Sequence, residues 1–122
     1  MGSDTSLRLI NESCKPLLAG TPQLSSSEIA SLLQEVPEWK LSDDGKSIGR
    51  TYTFSSYMDG VKLFALLAAL SEQDQHHPDA LVTWCKVTIT LWTHTVSGLS
   101  RNDFIMAAKF DCAWNDFSKS VR

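Results

Sequence analysis

Two segments of the chain carry the same signature of a helix start, one near residue 25 and the other near residue 100. In "LSSSEI", Ser25 and Glu28 have the spacing of a capping box, and the flanking apolar residues occupy the positions of a hydrophobic staple. In "LSRNDF", Ser100 and Asp103 repeat that arrangement. These patterns predict that one helix begins at each site.

The sequence between these two sites predicts two β-hairpins separated by a further helix. "WKLSDDGKSIGRTYTF" follows Pro37 and combines an Asp44-Gly45 turn with alternating large and small residues. "ALVTWCKVTITLWTHT" is rich in β-branched and aromatic residues. Between them, Ser56 and Asp59 cap the apolar helix "VKLFALLAALSEQ". The predicted order is α-β-β-α-β-β-α, an α+β fold with a four-stranded antiparallel sheet and helices packed on one face.

The length, composition and charge of the chain indicate a single globular domain and exclude some kinds of binding partner. A chain of 122 residues is typical of one domain, and 43% hydrophobic residues is typical of a globular one. We assign residues 25–122 to this domain and residues 1–24, which lack periodicity, to an N-terminal tail or arm. A net charge of −3 without a basic run argues against an electrostatic nucleic-acid or membrane binder.

Cysteine spacing and hydropathy indicate a cytoplasmic protein. Cys14, Cys85 and Cys112 are odd in number and far apart, so they indicate neither a disulfide framework nor a CxxC metal motif. No apolar run reaches the ~18 residues of a membrane span, and the first residues have no signal-peptide core.

Two of the three histidines lie in "SEQDQHHPD", where Pro78 restricts His77 to an extended conformation. If the second hairpin turns through Cys85 and Lys86, its register places His77 opposite His94. Glu72 lies one helical turn before the pair. Imidazoles gathered in this way can exchange protons near neutral pH. Surface capping histidines and a zinc site are the alternatives.

The same register gives expectations for three further residues. It places Trp92 opposite Asp79 on the histidine face, where an indole could either stack on a planar ligand or cover exposed sheet. It places Trp84 opposite Val87 on the apolar face. Asp103 has two interpretations, a helix-capping carboxylate or a site residue, and capping is favoured.

From residue 25 onward the chain resembles the pterin-4a-carbinolamine dehydratases. Their pattern is an acidic residue, His-His-Pro, an aromatic residue, a third histidine and an aspartate at fixed spacing. The matching residues are Glu72, His76, His77, Pro78, Trp84, His94 and Asp103. Gln75 and Trp92 depart from the residues that many relatives carry there, which affects the expected pocket shape more than the reaction.

The resemblance implies removal of water from a 4a-hydroxytetrahydropterin to give a quinonoid dihydropterin, in cofactor recycling, without a metal or organic cofactor. It implies that His76, His77 and His94 are catalytic. Substrate-binding positions are expected at Glu72, Pro78, Trp92, Thr93 and Asp103. A homodimer or homotetramer is expected, with no direct contact to nucleic acid or membrane.

The resemblance also leaves a second function open, because some family members act as dimerisation cofactors for a transcription factor. The second predicted helix is apolar on most faces, so it lies either between layers of the fold or in a subunit contact, where it offers a surface for oligomer formation. We expect a pure scaffold to fail when Leu63, Leu67 or Leu70 becomes charged, and to tolerate loss of the histidines.

Overall fold

A computed structural model describes residues 9–120 and confirms the predicted α+β fold. Residues 9–11 are helical, and a 3-10 turn spans His94–Val96. In chain order the elements are α1 (Ser26–Leu33), β1 (Lys40–Leu41), β2 (Ile48–Thr53), α2 (Tyr57–Asp74), β3 (Asp79–Val82), β4 (Lys86–Leu91) and α3 (Arg101–Ser120). No helix in this part of the chain is long and apolar enough to cross a membrane.

The four strands form one antiparallel sheet in the order β1-β2-β4-β3. The two central strands present alternate residues to the helices, so that one face is buried and the other is polar. The buried residues on these strands are Ile48, Tyr52, Val87, Ile89 and Leu91. On the opposite face the threonines at 51, 88 and 90 remain at least partly exposed.

The helix starts follow the cap patterns in the sequence. The Glu28 N–H donates to Ser25 Oγ at 3.2 Å, and the Ser25 N–H donates to Glu28 Oε1 at 2.8 Å. At the start of α3 the Ser100 N–H donates to Asp103 Oδ2 at 3.0 Å. The start of α2 is capped by Ser56. The predicted cap pair is therefore complete at α1, whereas α2 shows the serine half of its pair and α3 shows the carboxylate half.

The second hairpin turns at a different place from the one predicted. Its two-residue turn is Trp84-Cys85, because the Thr83 N–H donates to the Lys86 carbonyl at 2.8 Å, and the ladder pairs Val82 with Val87. The predicted Cys85-Lys86 turn lies one residue too far along the chain, and each residue therefore pairs with a partner two positions away from the predicted one. A shift of two keeps every side chain on its predicted face. However, Trp84 now lies in the turn and is 74% exposed.

The corrected register also removes the predicted pairing of His77 with His94. The ladder between β3 and β4 ends where Asp79 pairs with Thr90, and His94 lies beyond β4 in the 3-10 turn. The two histidines are thus not cross-strand neighbours, and the geometry of the site depends on contacts other than the ladder.

Helix α2 contributes its apolar residues to the core of the monomer. Leu63 and Leu67 are fully buried, and Leu70 packs against the core as a partly buried residue. Their burial agrees with the alternative that α2 lies between layers, and the alternative that these leucines form an oligomer surface is wrong because a charge there would disrupt the monomer itself. The exposed large apolar residues on α2 are Tyr57, Met58 and Leu66.

The chain preceding α1 lies against the domain from Leu9 onward. Leu9 is fully buried in the core, and Ile10 and Cys14 pack against it. The Leu24 N–H donates to the Leu99 carbonyl at 3.0 Å, which connects this segment to the residue before the α3 cap. Residues 1–8 of the predicted tail or arm lie outside the described residues.

One buried polar group predicts a stabilising substitution. Tyr52 is 2% exposed, and its hydroxyl has no hydrogen-bond partner among residues 9–120. Burial raises the pKa of this phenol. Removing an unsatisfied buried hydroxyl removes its desolvation cost, so Tyr52→Phe is expected to raise the free energy of unfolding by about 1 kcal/mol in urea denaturation. The exposed Tyr57→Phe serves as the control, and a destabilised Tyr52→Phe beside an unchanged control contradicts this reading.

Candidate functional site

A hydrogen bond between His76 and Asp103 joins the end of α2 to the start of α3. Gln75 ends α2 in the left-handed conformation, with φ 52°, and this turns the chain toward α3. His76 Nε2 lies 2.7 Å from Asp103 Oδ1. The His76 side chain is 13% exposed and the Asp103 side chain is fully buried.

The second oxygen of Asp103 is also fully engaged. Asp103 Oδ2 accepts from the Thr93 hydroxyl at 2.8 Å and from the Ser100 N–H at 3.0 Å. The capping role of Asp103 and its contact with His76 therefore coexist in one carboxylate. An ionised carboxylate only accepts hydrogen bonds, so the proton of a neutral His76 ring resides on Nε2 and Nδ1 keeps its lone pair. Nδ1 can then accept a proton from a ligand.

His77 has a separate partner nearer to solvent. Its Nε2 lies 2.5 Å from Glu72 Oε2, in the last turn of α2, and both side chains are exposed. Pro78 is half-buried and leads directly into β3. This pair places a second imidazole and a carboxylate next to His76 along the chain.

His94 stacks on Trp92, with ring centroids 3.7 Å apart and planes inclined by 32°. The Trp92 Nε1–H donates to Asp79 Oδ2 at 3.0 Å, diagonally across the ladder because Asp79 pairs with Thr90. Trp92 thus fixes the position of one histidine ring and also contacts the strand that begins two residues after His77.

Contacts between these residues form two connected groups and the separate His77–Glu72 pair. His76, Asp103 and Thr93 are linked directly, and His94 follows Thr93 in the chain. His94, Trp92 and Asp79 form the second group.

A cavity of about 490 Å³ lies beside His76 and Thr93. This volume falls within the ~300–1,000 Å³ typical of small-molecule sites. Its other lining residues come from the segment before α1, the end of α2, the 3-10 turn and the start of α3: Ser13, Cys14, Lys15, Pro16, Leu17, Gln73, Asp74, Gln75, Thr95 and Asn102. Of the predicted site residues in the described range, only His76 and Thr93 line it.

Sequence reasoning missed the contribution of residues 13–17, Asp74, Thr95 and Asn102 to this cavity. The segment before α1 has no periodicity or motif that could have predicted a contact with α2 and α3. Within residues 9–120, no group of three or more His, Cys, Asp or Glu side chains is arranged to hold a metal ion.

Comparison with known proteins identifies the family. A family model described as pterin 4 alpha carbinolamine dehydratase matches residues 22–113. The chain belongs to this family. Two similar proteins are both named "Putative pterin-4-alpha-carbinolamine dehydratase". The one from Marinobacter nauticus is 39% identical over 82% of this chain and 92% of its own length. The one from Chlorobium luteolum is 41% identical over 80% of this chain and 88% of its own.

Two solved structures that are similar to this chain belong to proteins whose names describe different roles. A transcriptional coactivator/pterin dehydratase from Brucella melitensis superposes with a TM-score of 0.70 at 28% identity, covering 74% of this chain and 96% of its own. A pterin dehydratase-like protein identified as a RuBisCO assembly factor in the alpha-carboxysome gives 0.53 at 26% identity, covering 62% and 87%. Family membership therefore suggests the dehydratase reaction, and other roles occur among structural neighbours.

Proposed function

We propose that this chain removes water from a 4a-hydroxytetrahydropterin and so recycles the tetrahydropterin cofactor of aromatic hydroxylation. The observation that carries the proposal is the His76–Asp103–Thr93 chain at the edge of a ligand-sized cavity in a member of this family. The three cysteines are free, which suits a reducing, cytoplasmic setting.

The reaction requires two proton transfers and no change of oxidation state. The C4a–O bond breaks as the hydroxyl receives a proton and leaves as water. The N5–H bond breaks and its electron pair forms the N5=C4a double bond of the quinonoid dihydropterin. One group must donate a proton and another must accept one, so imidazole side chains can perform both steps.

We assign the base to His76, because Asp103 holds its Nε2–H and leaves Nδ1 to take the N5 proton. We assign the acid to His94, which does not itself line the cavity but lies between the lining residues Thr93 and Thr95 and is stacked on Trp92. Glu72 orients His77, and the pair is suited to accept and donate hydrogen bonds at the amino-pyrimidinone edge of the pterin.

The proposal is tested by adding purified protein to a 4a-hydroxytetrahydropterin generated in situ and following its decay by absorbance. The protein is expected to accelerate the decay, and His94→Gln is expected to lower kcat by about 10²-fold because the proton donor is lost. Ser118→Ala, at the exposed end of α3, is the control and should match the unchanged protein. No acceleration by the unchanged protein would contradict the proposal.

A second candidate function is assembly with a partner protein or with further copies of the chain. It is favoured by Tyr57, Met58 and Leu66 on α2, which are 48%, 54% and 38% exposed. Leu66→Glu is expected to reduce a homodimer or homotetramer to a smaller species in light scattering while the rate per site persists. An unchanged mass in Leu66→Glu would exclude this surface as the oligomer contact.

A further inference from the structure

One wall of the cavity beside His76 comes from chain outside the region that the family model matches. That match begins at residue 22, whereas residues 13–17 line the cavity. We call residues 13–17 the strap. Neither the family match nor the dehydratase chemistry assigns a role to the strap, yet it faces the same space as His76.

Asn102 clamps the strap to α3 through a reciprocal pair of hydrogen bonds. The Lys15 N–H donates to Asn102 Oδ1 at 3.0 Å, and Asn102 Nδ2 donates to the Lys15 carbonyl at 2.8 Å. The side-chain amide thus satisfies both backbone groups of Lys15, as a neighbouring strand would. Asn102 is only 8% exposed, so each of these bonds is shielded from water.

Asp74 clamps the strap to α2. Its Oδ2 accepts from the Cys14 N–H at 2.9 Å and from Lys109 Nζ at 2.9 Å. Burial alone would raise the pKa of Asp74, but these bonds and the Lys109 charge lower it, so the carboxylate stays ionised. Burial and the nearby Asp74 charge raise the pKa of the Cys14 thiol to about 12, so the thiol stays neutral.

The two clamps sit next to the residues of the proposed proton chain. Asp74 precedes His76 by two residues, and Asn102 immediately precedes Asp103. The strap therefore bridges the end of α2 and the start of α3 at the point where His76 and Asp103 meet. Burial of Leu9 alone does not explain why Asp74 and Asn102, two nearly buried polar side chains, hold the backbone of Cys14 and Lys15.

We propose that the strap is the substrate-facing wall of the pterin cleft and that Asn102 and Asp74 are positioning residues that set the affinity for the pterin. This inference rests on the proposed dehydratase function. The wall is made of strap residues that carry no proton-transfer group near neutral pH, whereas the proton transfers are assigned to the histidines. Loosening the wall should therefore weaken substrate binding without changing the chemical step.

Asn102→Ala and Asn102→Asp test the clamp. The first variant removes both bonds to Lys15; the second keeps an acceptor for the Lys15 N–H but cannot donate to the Lys15 carbonyl. Both are expected to raise KM for the 4a-hydroxytetrahydropterin about tenfold, with kcat within about twofold of the unchanged protein. The Kd of a stable reduced-pterin analogue, measured by equilibrium dialysis, should rise by a similar factor.

Two further variants distinguish an effect of the strap on substrate affinity from a general loss of stability. Ser25→Ala weakens the α1 cap away from the cleft and should leave KM unchanged despite its loss of stability. Lys15→Ala keeps the backbone clamp but alters a lining side chain, and it is expected to raise KM by about threefold or more. If the Asn102 variants do not fold, the result for Lys15→Ala decides.

The outcomes distinguish this inference from the proposed function. An active protein whose Asn102 and Lys15 variants keep KM and analogue Kd would overturn the strap inference and leave the dehydratase assignment intact. A fall in kcat with unchanged KM would also overturn it, since the strap would then act on folding or on the histidines. An unchanged protein that neither binds the analogue nor turns over the substrate would overturn both.

Discussion

Replacing His76 with alanine is expected to lower kcat by about 10²–10⁴-fold, the usual contribution of a positioned general base. His76 is the one histidine that both lines the cavity and is held by a fully buried carboxylate. Because alanine leaves no group to take the N5 proton, the loss should appear in single-turnover rates as well as in kcat. Stopped-flow absorbance of the 4a-hydroxytetrahydropterin measures both.

Asp103→Asn provides the matched test of how His76 is held. The amide keeps the size of the carboxylate but can donate to His76 Nε2, which favours the tautomer with its proton on Nδ1. We expect kcat to fall about 10²-fold or more, with a smaller change in KM. A folded His76→Ala protein with full activity would exclude His76 as the base, whatever Asp103→Asn shows.

Local sequence patterns predicted the elements of the fold because each depends on neighbouring residues. The Ser25–Glu28 box, the Ser56 cap and the Ser100–Asp103 pair each satisfy backbone groups within one helical turn. The order of helices and hairpins follows from these signals, and so does the antiparallel sheet.

The register of the second hairpin could not be predicted in the same way. Hydrophobic alternation has a period of two, so pairings shifted by two residues bury the same face equally well. Neither Trp84-Cys85 nor Cys85-Lys86 has the Asn-Gly chemistry that fixes a turn. The error in register gave the wrong pairing of His77 with His94. It did not affect the choice of the three histidines as candidate site residues, because that choice came from the His-His-Pro motif and the family pattern.

The burial of the α2 leucines, the position of the strap and the double role of Asp103 depend on tertiary contacts, so local sequence patterns could not predict them. An apolar helix can bury its leucines in its own monomer or in an oligomer, and the pattern of Leu63 and Leu67 is the same in both cases. The strap contacts α2 and α3 through backbone groups of Cys14 and Lys15, which leave no trace in side-chain periodicity. The sequence pattern of Asp103 fits either a cap or a site residue, and in the structure its two oxygens serve both: Oδ2 accepts from the Ser100 N–H, and Oδ1 contacts His76.

Arg50→Met is expected to give a large loss of stability, about 3 kcal/mol in the free energy of unfolding at pH 8. Asp111 Oδ1 accepts from Arg50 Nη1 at 2.6 Å and from Trp39 Nε1 at 2.8 Å. The Arg50 and Asp111 side chains are only 15% and 23% exposed. Without the guanidinium, a mostly buried carboxylate keeps a single neutral donor, so its charge is poorly compensated.

The exposed pair of Arg101 with Glu12 is the control for this substitution. Its side chains are 50% and 33% exposed, and solvent screens their attraction. Arg101→Met should therefore cost well under the loss expected for Arg50→Met, about 1 kcal/mol or less. Equal losses in the two variants would contradict a larger contribution from the partly buried Arg50–Asp111 pair.

The stability loss of Arg50→Met should depend on pH in a defined direction. Burial raises the pKa of Asp111 above its ordinary 3.8, although Trp39 and Arg50 oppose this shift. Removing Arg50 raises the pKa of Asp111 in the folded state further. At pH values from about 3.8 up to that raised pKa, the folded variant therefore binds more protons than the unfolded chain. Stability then falls as pH rises through that range. Urea unfolding should therefore show a smaller difference from the unchanged protein at pH 4 than at pH 8, and a difference independent of pH would contradict a buried charge as the cause.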